Sequence, residues 1–537
     1  MMDLFRHIGA AVAALFLLFG LTSHARAEKR VEVRPYLELD QVVVADLKGG
    51  SNDVLTYSSA AAGVDGSIRT RNAEAQVNVR YEHQFSWNDD LADQDVISGL
   101  AKGRVSLARD ALSLEGGAIA TRTRSDGLGG ANGVLIGDNV SQVYSVYAGP
   151  TLATNVGELS VNASYHLGYT KLENDTDITI PAGTQQLGGY DDSLVHSASV
   201  SVGMQPGGRP FGWSVGAGYD REDASQLDQR YEAKYARADI TVPVSANVAL
   251  LGGVGYENIE IGQRSALLDV DGNPVIDNDG RFVTDKDSPR RLSYDQDGLI
   301  WDVGVMWRPS RRTSLEVHAG RRYGSMSYTA AFSYQPSPRT SFQMAVYDGI
   351  SSFGRQLNDN LADLSTSFIA TRNPFSGDLT GCAFGAQSGG VCFNDVLQSI
   401  SAANFRHRGV AAQLTSGSGF WNYGVALGYS RRTFIAPETG IFAFVDGARD
   451  ENYYLNLFVG RRLDEKSGVD ANVYANYFDS SVAGTIDVYN MGAYASYNRD
   501  FTNRLRGMAS LGVDSMDTPG FDSSMSAFAQ LGLHYQF

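Results

Sequence analysis

Apolar and polar residues alternate along most of the chain, as in β-strands that have two different faces. Between residues 420 and 430, one face carries large apolar side chains, namely Trp421, Tyr423, Val425, Leu427 and Tyr429. The same alternation runs through 72–82 and 469–477. These segments extend over about 10–16 residues, whereas strands of water-soluble proteins usually have about 5–6. The pattern therefore predicts strands that cross a membrane, with aromatic residues at the two interfaces.

The alternation predicts about 22 strands, within a range of 20–24, and an even number suits a bacterial single-chain barrel. Connection lengths provide an independent test, because long connections should all lie on one side of the membrane. The long connections all follow odd-numbered strands: 125–138, 174–189, 262–296, 348–404 and 432–450. We therefore predict an all-β fold, a single transmembrane antiparallel β-barrel over 28–537, with long extracellular loops near 262–296 and 348–404.

The two ends of the chain indicate its destination. Residues 1–27 have the charged start, apolar run and Ala25-Arg26-Ala27 site of a cleavable secretory signal peptide. The mature chain then leads almost directly into the first strand, which predicts that no N-terminal plug domain precedes the barrel. The last strand ends in alternating apolar residues that resemble the barrel-assembly signal of outer-membrane proteins: Leu531, Leu533, Tyr535 and Phe537. We expect location in the outer membrane, contact with its lipid and lipopolysaccharide, and insertion by the barrel-assembly machinery.

Composition agrees with a barrel and excludes other classes. The 537 residues are 43% hydrophobic, yet the mean hydropathy is only −0.20, as expected when half of each strand faces water. A polytopic helical membrane protein would need repeated apolar runs of about 20 residues, which are missing from the sequence. A net charge of −16 argues against nucleic acid as a partner.

Two features raise the question of metal or covalent chemistry. Cys382 and Cys392 lie in the longest loop, and an oxidising compartment favours a disulfide between them over a metal pair. The acidic stretch 269–280 hints at calcium, but its spacing departs from an EF-hand and Asp-Gly pairs are common turn formers. We predict a hairpin extension there, and no metal or cofactor.

Charged residues on the inward strand face are the most plausible functional chemistry. By strand parity the inward set comprises Glu74, Arg80, Glu82, Lys102, Arg104, Glu115, Arg237, Asp239, Glu316, His318, Arg322 and Asp470. Mixed charges of this kind can set a transverse field in a water-filled pore. They can equally form structural ion-pair ladders between neighbouring strands, and both interpretations stay open.

One short stretch resembles a known family. Residues 307–314 lead into Gly320-Arg321-Arg322-Tyr323-Gly324, and the turn sequence recurs at 336–341. This motif resembles the porin-2 type β-barrel group, which includes outer-membrane barrels associated with exopolysaccharide and PEP-CTERM gene clusters. The resemblance implies an outer-membrane barrel and, for most members, no defined activity.

These observations favour a porin-like channel that passes polar solutes, with export of exopolysaccharide as a specific form of that function. The first alternative is a surface adhesion or structural barrel whose lumen is sealed. A barrel-borne hydrolase is the minor alternative, and we predict no enzymatic activity. Loop 348–404 is long enough either to fold into the lumen or to reach outward to a partner, and the sequence does not choose between them.

Overall fold

A bilayer offers no hydrogen-bond partners to the backbone, so the alternating segments must pair with one another until no edge is left. The computed structural model has this arrangement. It contains one antiparallel sheet of 22 strands, and the first strand pairs with the last from Tyr36↔Gln536 to Lys48↔Met525. The predicted fold class and strand count are confirmed.

The structure describes residues 30–49, 54–87, 93–108, 111–124, 135, 140–174, 190–277, 281–385, 390–397, 400–438, 440, 443–482, 487–520 and 522–537. The predicted signal peptide, 1–27, lies outside these residues. The barrel strands are β1 Arg30–Lys48, β2 Val54–Arg69, β3 Ala73–Ser86, β4 Gln94–Ala108, β5 Leu112–Arg124, β6 Val140–Val156, β7 Leu159–Asn174, β8 Asp192–Met204, β9 Gly212–Ala224, β10 Gln229–Pro243, β11 Val248–Gln263, β12 Arg291–Ser310, β13 Thr313–Arg322, β14 Ser325–Ser337, β15 Thr340–Ser351, β19 Asn404–Ser418, β20 Trp421–Ile435, β21 Arg449–Arg462, β22 Ser467–Ser480, β23 Val488–Asp500, β24 Leu505–Asp517 and β25 Ser524–Gln536.

Between β15 and β19 the chain forms a small separate unit. Its elements are helix α1 Phe353–Asp363, strands β16 Phe368–Arg372, β17 Leu379–Gly385 and β18 Val391–Cys392, and helix α2 Asn394–Leu397. The three strands form their own antiparallel sheet. We call the described residues among 352–403 the lumenal insert. Within the described residues, no helix has both the length and the apolar character needed to cross a bilayer.

Connection lengths follow the predicted parity and define two rims. The long connections follow β5, β7, β11, β15 and β20. Because β16–β18 are not part of the barrel, β20 is its seventeenth strand, so all five are odd-numbered barrel strands. We call this end of the barrel the long-loop rim. The other end, the short-turn rim, has tight turns such as those between β12 and β13 and between β14 and β15. Strand β12 begins at Arg291, several residues before the predicted start. The alternation did not reveal this part of the strand because Asp295 and Asp297 occupy the face that is apolar further along.

The outer face of the wall is apolar and the inner face polar. Leu427, Leu511 and Leu531 are among many large apolar side chains exposed on the outside, as lipid contact requires. Near the long-loop rim, outward tyrosines of four adjacent strands stack side by side with ring centroids 4.3–5.9 Å apart: Tyr429, Tyr453, Tyr477 and Tyr489. They form an interfacial girdle of the kind that flanks membrane barrels.

The chain end also lies on this outer face. Leu531, Leu533, Tyr535 and Phe537 are exposed, and the Phe537 amide donates to the Pro35 carbonyl, 3.1 Å away. The predicted assembly residues are therefore accessible from the lipid side, next to the seam where β1 closes the barrel. Their recognition by the assembly machinery stays a prediction.

Placement in the bilayer predicts a depth-dependent cost for charge on the outer face. Val425→Arg, midway between Trp421 and Tyr429 on the outer face of β20, should destabilise the barrel by about 2–4 kcal/mol, because arginine near the bilayer midplane has no partner. Thr433→Arg, on the same face of β20 near the long-loop rim, should cost only about 0–1 kcal/mol. Reversible unfolding in lipid vesicles measures both, and equal costs would contradict the placement.

Candidate functional site

The lumenal insert lies inside the barrel, which answers the question left open for loop 348–404. Phe353, Leu357 and Leu361 of α1 are fully buried. They pack with other insert residues against the inner wall in one cluster, whose wall members are Leu100, Ile119, Val143, Tyr147, Leu172 and Tyr190. Phe375 and Phe384 of the insert enter two further clusters with wall residues. Apolar burial therefore holds the insert against the wall on several sides.

Helix α1 is capped at both ends by contacts to the wall. At its start, Ser352 accepts a hydrogen bond from the Arg355 amide at 3.2 Å and donates to Glu222 of β9. At its end, the Lys102 ammonium of β4 donates to the carbonyls of Leu361 and Ala362 at 3.1 and 2.8 Å. A cation at the carboxyl end of a helix satisfies free carbonyls and complements the helix dipole. Lys102, predicted as a pore charge, thus acts as a helix cap.

The strongest polar anchor joins Arg122 of β5 to Asp378 of the insert. The guanidinium donates to both carboxylate oxygens, from Nε at 3.0 Å and from an NH2 group at 2.8 Å. It also donates to the Ser376 carbonyl at 3.1 Å. Both charged side chains are at most 5% exposed. A buried bidentate pair of this type is geometrically specific, and loss of one partner leaves an unpaired buried charge.

Strand parity does not predict the inward contact of Arg122. Glu115 of the same strand belongs to the inward set. Because Arg122 is an odd number of residues from Glu115, strand parity places Arg122 on the outer face. The pairing of β4 with β5 ends at Gly99↔Ala120, and beyond it the Gln142 side chain donates through Nε2 to the carbonyls of Ile97 and Thr121. The wall is open there, so the Arg122 side chain can reach the insert.

A second buried group surrounds Arg80 of β3. Its guanidinium contacts the carboxylates of Glu38, Asp40 and Glu82, with 2.8 Å to Glu82 and 3.4 Å to Asp40. The insert covers this group at Gly377, where a Cβ would collide with the Glu82 carboxylate. Gly377 also has a φ of +72°, so close approach and backbone conformation both require glycine. Predicted lumen residues Arg80 and Glu82 therefore lie beneath the insert rather than in open water.

Backbone groups of the insert are also recognised directly. The Gln76 side chain of β3 donates to the Phe368 carbonyl at 2.7 Å and accepts from the Phe368 amide at 3.1 Å, so one side chain pairs with β16 as a strand would. Arg372 donates to Asn78 at 3.1 Å, and burial lowers the pKa of its guanidinium. These contacts fix the edge of the insert sheet against the wall.

The predicted disulfide between Cys382 and Cys392 is present. It joins β17 to β18 inside the insert, beside Tyr454 and Phe458 of β21. The disulfide therefore stabilises a lumenal unit rather than a loop outside the barrel.

In the next helix, α2, burial raises the pKa of the Asp395 carboxyl, although the positive charge of Arg432 opposes this shift.

Five predicted lumen charges lie beside a cavity against β9–β15. The cavity has a volume of about 530 Å³, and its lining includes Arg237, Asp239, Glu316, His318, Arg322 and also Asp302. We call it the charged chamber. Its size falls within the range of small-molecule sites, about 300–1,000 Å³.

The chamber side chains form one chain of ion pairs. Arg237 contacts Asp239 and Asp302, each at 2.6 Å. His318 contacts Asp302 at 2.8 Å through Nδ1 and Glu316 at 2.9 Å through Nε2. The two ends of this row of ion pairs are the carboxylates of Asp239 and Glu316, whose side chains are 37% and 39% exposed. Arg322 binds Glu257 bidentately just beyond. The chamber thus presents the Asp239 and Glu316 carboxylates to a solute, beside the Arg322 guanidinium, which is 38% exposed and paired with Glu257.

The remaining predicted lumen residues have local partners. Glu74 accepts from Thr366 of the insert at 3.1 Å, and Glu115 contacts His166 of β7 at 2.9 Å. Arg104 donates to Ser113 at 3.1 Å, and Asp470 accepts from Asn498 at 3.0 Å. Sequence reasoning missed Asp302 and Glu257, although strand parity alone would have found them. It also missed Asp378, for which a loop without periodicity carries no signal.

Histidine contacts bear on the hydrolase alternative. On the outer face near the long-loop rim, His83 and Tyr81 both contact the same Asp95 oxygen, at 2.8 and 2.7 Å. In the lumen, His318 lies between two carboxylates. A catalytic Ser–His–acid arrangement requires the second imidazole nitrogen to face a nucleophile. At His318 that position is taken by Glu316.

Similarity to known proteins is confined to overall shape. No protein-family model matches the chain, and no curated protein matches its sequence. Among solved structures, the apoprotein form of the FrpB iron transporter from Neisseria meningitidis is 10% identical, with a TM-score of 0.46 over 94% of this chain and 81% of that one. The siderophore receptor PiuA from Acinetobacter baumannii is 9% identical, with a TM-score of 0.43 over 93% and 82%. Similarity at this level carries no functional inference, and the porin-2 resemblance stays a prediction.

The Arg122–Asp378 pair predicts how the insert can be released. Asp378→Ala should weaken docking by about 3–5 kcal/mol, because Arg122 is left buried without its counter-charge. Replacing both residues, as Arg122→Met with Asp378→Leu, should cost much less, since no charge stays buried. Hydrogen exchange of the insert amides measures both effects.

Glu158→Ala provides the control, because the Glu158–Arg209 pair is exposed at the short-turn rim and should be worth about 0–1 kcal/mol. If the insert amides of Asp378→Ala exchange no faster than those of this control, the Arg122–Asp378 pair does not anchor the insert.

Proposed function

We propose that the protein is an outer-membrane channel for polar solutes and that the lumenal insert is its gate. The observation that carries the proposal is the division of the lumen. The insert packs mainly against strands from β1 to β10 and from β19 to β25, with additional hydrogen bonds to β15, whereas the charged chamber lies against β9–β15. A solute path along the chamber wall would widen when the insert moves.

The chamber favours small solutes that are neutral or positively charged. Its volume of about 530 Å³ suits a solute the size of a small saccharide or an amine, not a polymer. The exposed ends of its ion-pair chain, Asp239 and Glu316, would attract cations and repel anions. Export of exopolysaccharide, the more specific form of this function, would require the insert to leave the lumen.

A sealed structural or adhesion barrel is the second candidate, and the depth of insert packing favours it. Fully buried apolar side chains and the Arg122–Asp378 pair together give the docked insert several independent attachments. We infer no enzymatic role. In either case we expect an N-terminal signal peptide, insertion by the barrel-assembly machinery, and contact with outer-membrane lipid and lipopolysaccharide.

Deletion of the insert separates the two candidates. Ser351 and Phe405 are register partners on adjacent strands, so a short Gly-Ser turn can replace residues 353–402 without straining β15 or β19. We expect this variant to give steady conductance in planar bilayers, several times that of the unmodified chain. A folded deletion variant, shown by heat-modifiable gel migration, that does not conduct would contradict the channel.

The chamber predicts ion selectivity in the conducting form. Combining Asp239→Asn with Glu316→Gln should shift the reversal potential in a salt gradient towards the anion equilibrium potential, because the exposed carboxylates are lost. Glu451→Gln combined with Asp479→Asn is the matched control, since these register partners lie on the outer face and the same two negative charges are removed. An unchanged reversal potential in the double variant would place the solute path elsewhere.

A further inference from the structure

Two neighbouring turns at the short-turn rim share a sequence that the channel does not explain. The β12–β13 turn reads Pro309-Ser310-Arg311-Arg312-Thr313, and the β14–β15 turn reads Pro336-Ser337-Pro338-Arg339-Thr340. Proline and serine explain the turns themselves. They do not explain why each turn places arginine at its tip. We call these two segments the arginine turns.

The arginine turns are built alike and are tied together. In the first, the Arg312 amide donates to Ser310 Oγ at 3.2 Å, and in the second the Arg339 amide donates to Ser337 Oγ at 3.3 Å. The Arg312 guanidinium also donates to the Pro336 carbonyl at 2.7 Å and so bridges the two turns. The arginines are thus held on adjacent, rigid supports.

Positive charge in this patch is exposed and unbalanced. Arg308, Arg311, Arg312 and Arg339 are all exposed. Among the described residues, none of the carboxylates lies within 4.0 Å of their side-chain nitrogens. Elsewhere on the same rim, Arg209 and Arg506 each contact a carboxylate at 2.6 Å. Four clustered guanidinium groups without a carboxylate partner give this part of an acidic protein a local positive charge that would attract anions.

Aromatic rings place this surface at the membrane interface. Trp307 of β12 and Tyr334 of β14 are 40% and 44% exposed on the outer face, immediately before the two turns. Leu315 of β13 pairs with Trp307 and also with Phe332 of β14, so an apolar strip lies between the two rings. Tryptophan and tyrosine at a barrel rim mark the headgroup level of the bilayer. The arginines therefore lie where lipid phosphates are found.

We propose that the arginine turns bind the phosphate of an anionic phospholipid in the leaflet at the short-turn rim. Guanidinium groups bind phosphate through paired hydrogen bonds, and basic residues near an anionic membrane surface add to its attraction. A membrane ligand is favoured over a soluble acidic protein because the flanking rings face lipid. The site would orient the barrel and hold the β12–β15 wall, which carries the charged chamber, at a fixed depth.

Native mass spectrometry of the full-length protein with added phosphatidylglycerol or phosphatidylcholine tests the site. We expect the unmodified chain to retain phosphatidylglycerol preferentially. The triple variant Arg311→Gln, Arg312→Gln and Arg339→Gln should lose at least about tenfold in apparent affinity. The matched control, Arg209→Gln, Arg504→Gln and Arg506→Gln, removes the same charge from the same rim and should retain the preference.

Three outcomes would overturn the proposal. Equal retention of the two lipids by the unmodified chain would show no headgroup selection. Equal loss in the triple variant and the control would show only a general charge effect. Displacement of phosphatidylglycerol by inorganic phosphate at comparable concentration would show that the site recognises free phosphate rather than lipid. Heat-modifiable migration on gels confirms that each variant is folded.

Discussion

The need to pair every backbone amide and carbonyl inside a bilayer governs the whole molecule. It forces the strands into a closed ring, with β1 hydrogen-bonded to β25. A ring of 22 strands encloses far more space than its own side chains can fill, unlike a ring of about 8. The interior must therefore hold either water or additional chain, and here the lumenal insert occupies much of it.

Once the insert is inside, the charge on the wall acquires new roles. Lys102 caps a helix, Arg122 neutralises Asp378, and Arg80 lies in a covered group of carboxylates. On the β9–β15 side the charged residues line a cavity and form a row of ion pairs that ends in exposed carboxylates. The two interpretations of the inward charges, structural ladder and pore field, therefore apply to different parts of the same wall.

Period-2 patterning was sufficient to predict the barrel, its strand count and the inward face, because lipid and water impose opposite demands on alternate residues. It failed at Arg122, where the pairing of β4 with β5 has ended and the guanidinium contacts Asp378 of the insert. It could not predict the insert, whose fold depends on contacts with strands far away in sequence, such as Gln76 with Phe368. The pattern also missed some strand ends, such as the start of β12 near Asp295. Where a strand extends beyond the membrane, its outer face meets water and need not be apolar.

Movement of the insert is expected to open the lumen, and an engineered cross-link between the insert and the wall can test this. Asn358 Nδ2 of α1 lies 3.0 Å from Thr170 Oγ1 of β7, so Asn358→Cys with Thr170→Cys can join the insert to the wall. Single-channel recording of this double variant should show a closed barrel when oxidised and openings after reduction, and the unmodified chain, whose Cys382–Cys392 disulfide is reduced in the same way, should not change from closed to open. Conductance that is the same in both states would contradict the account.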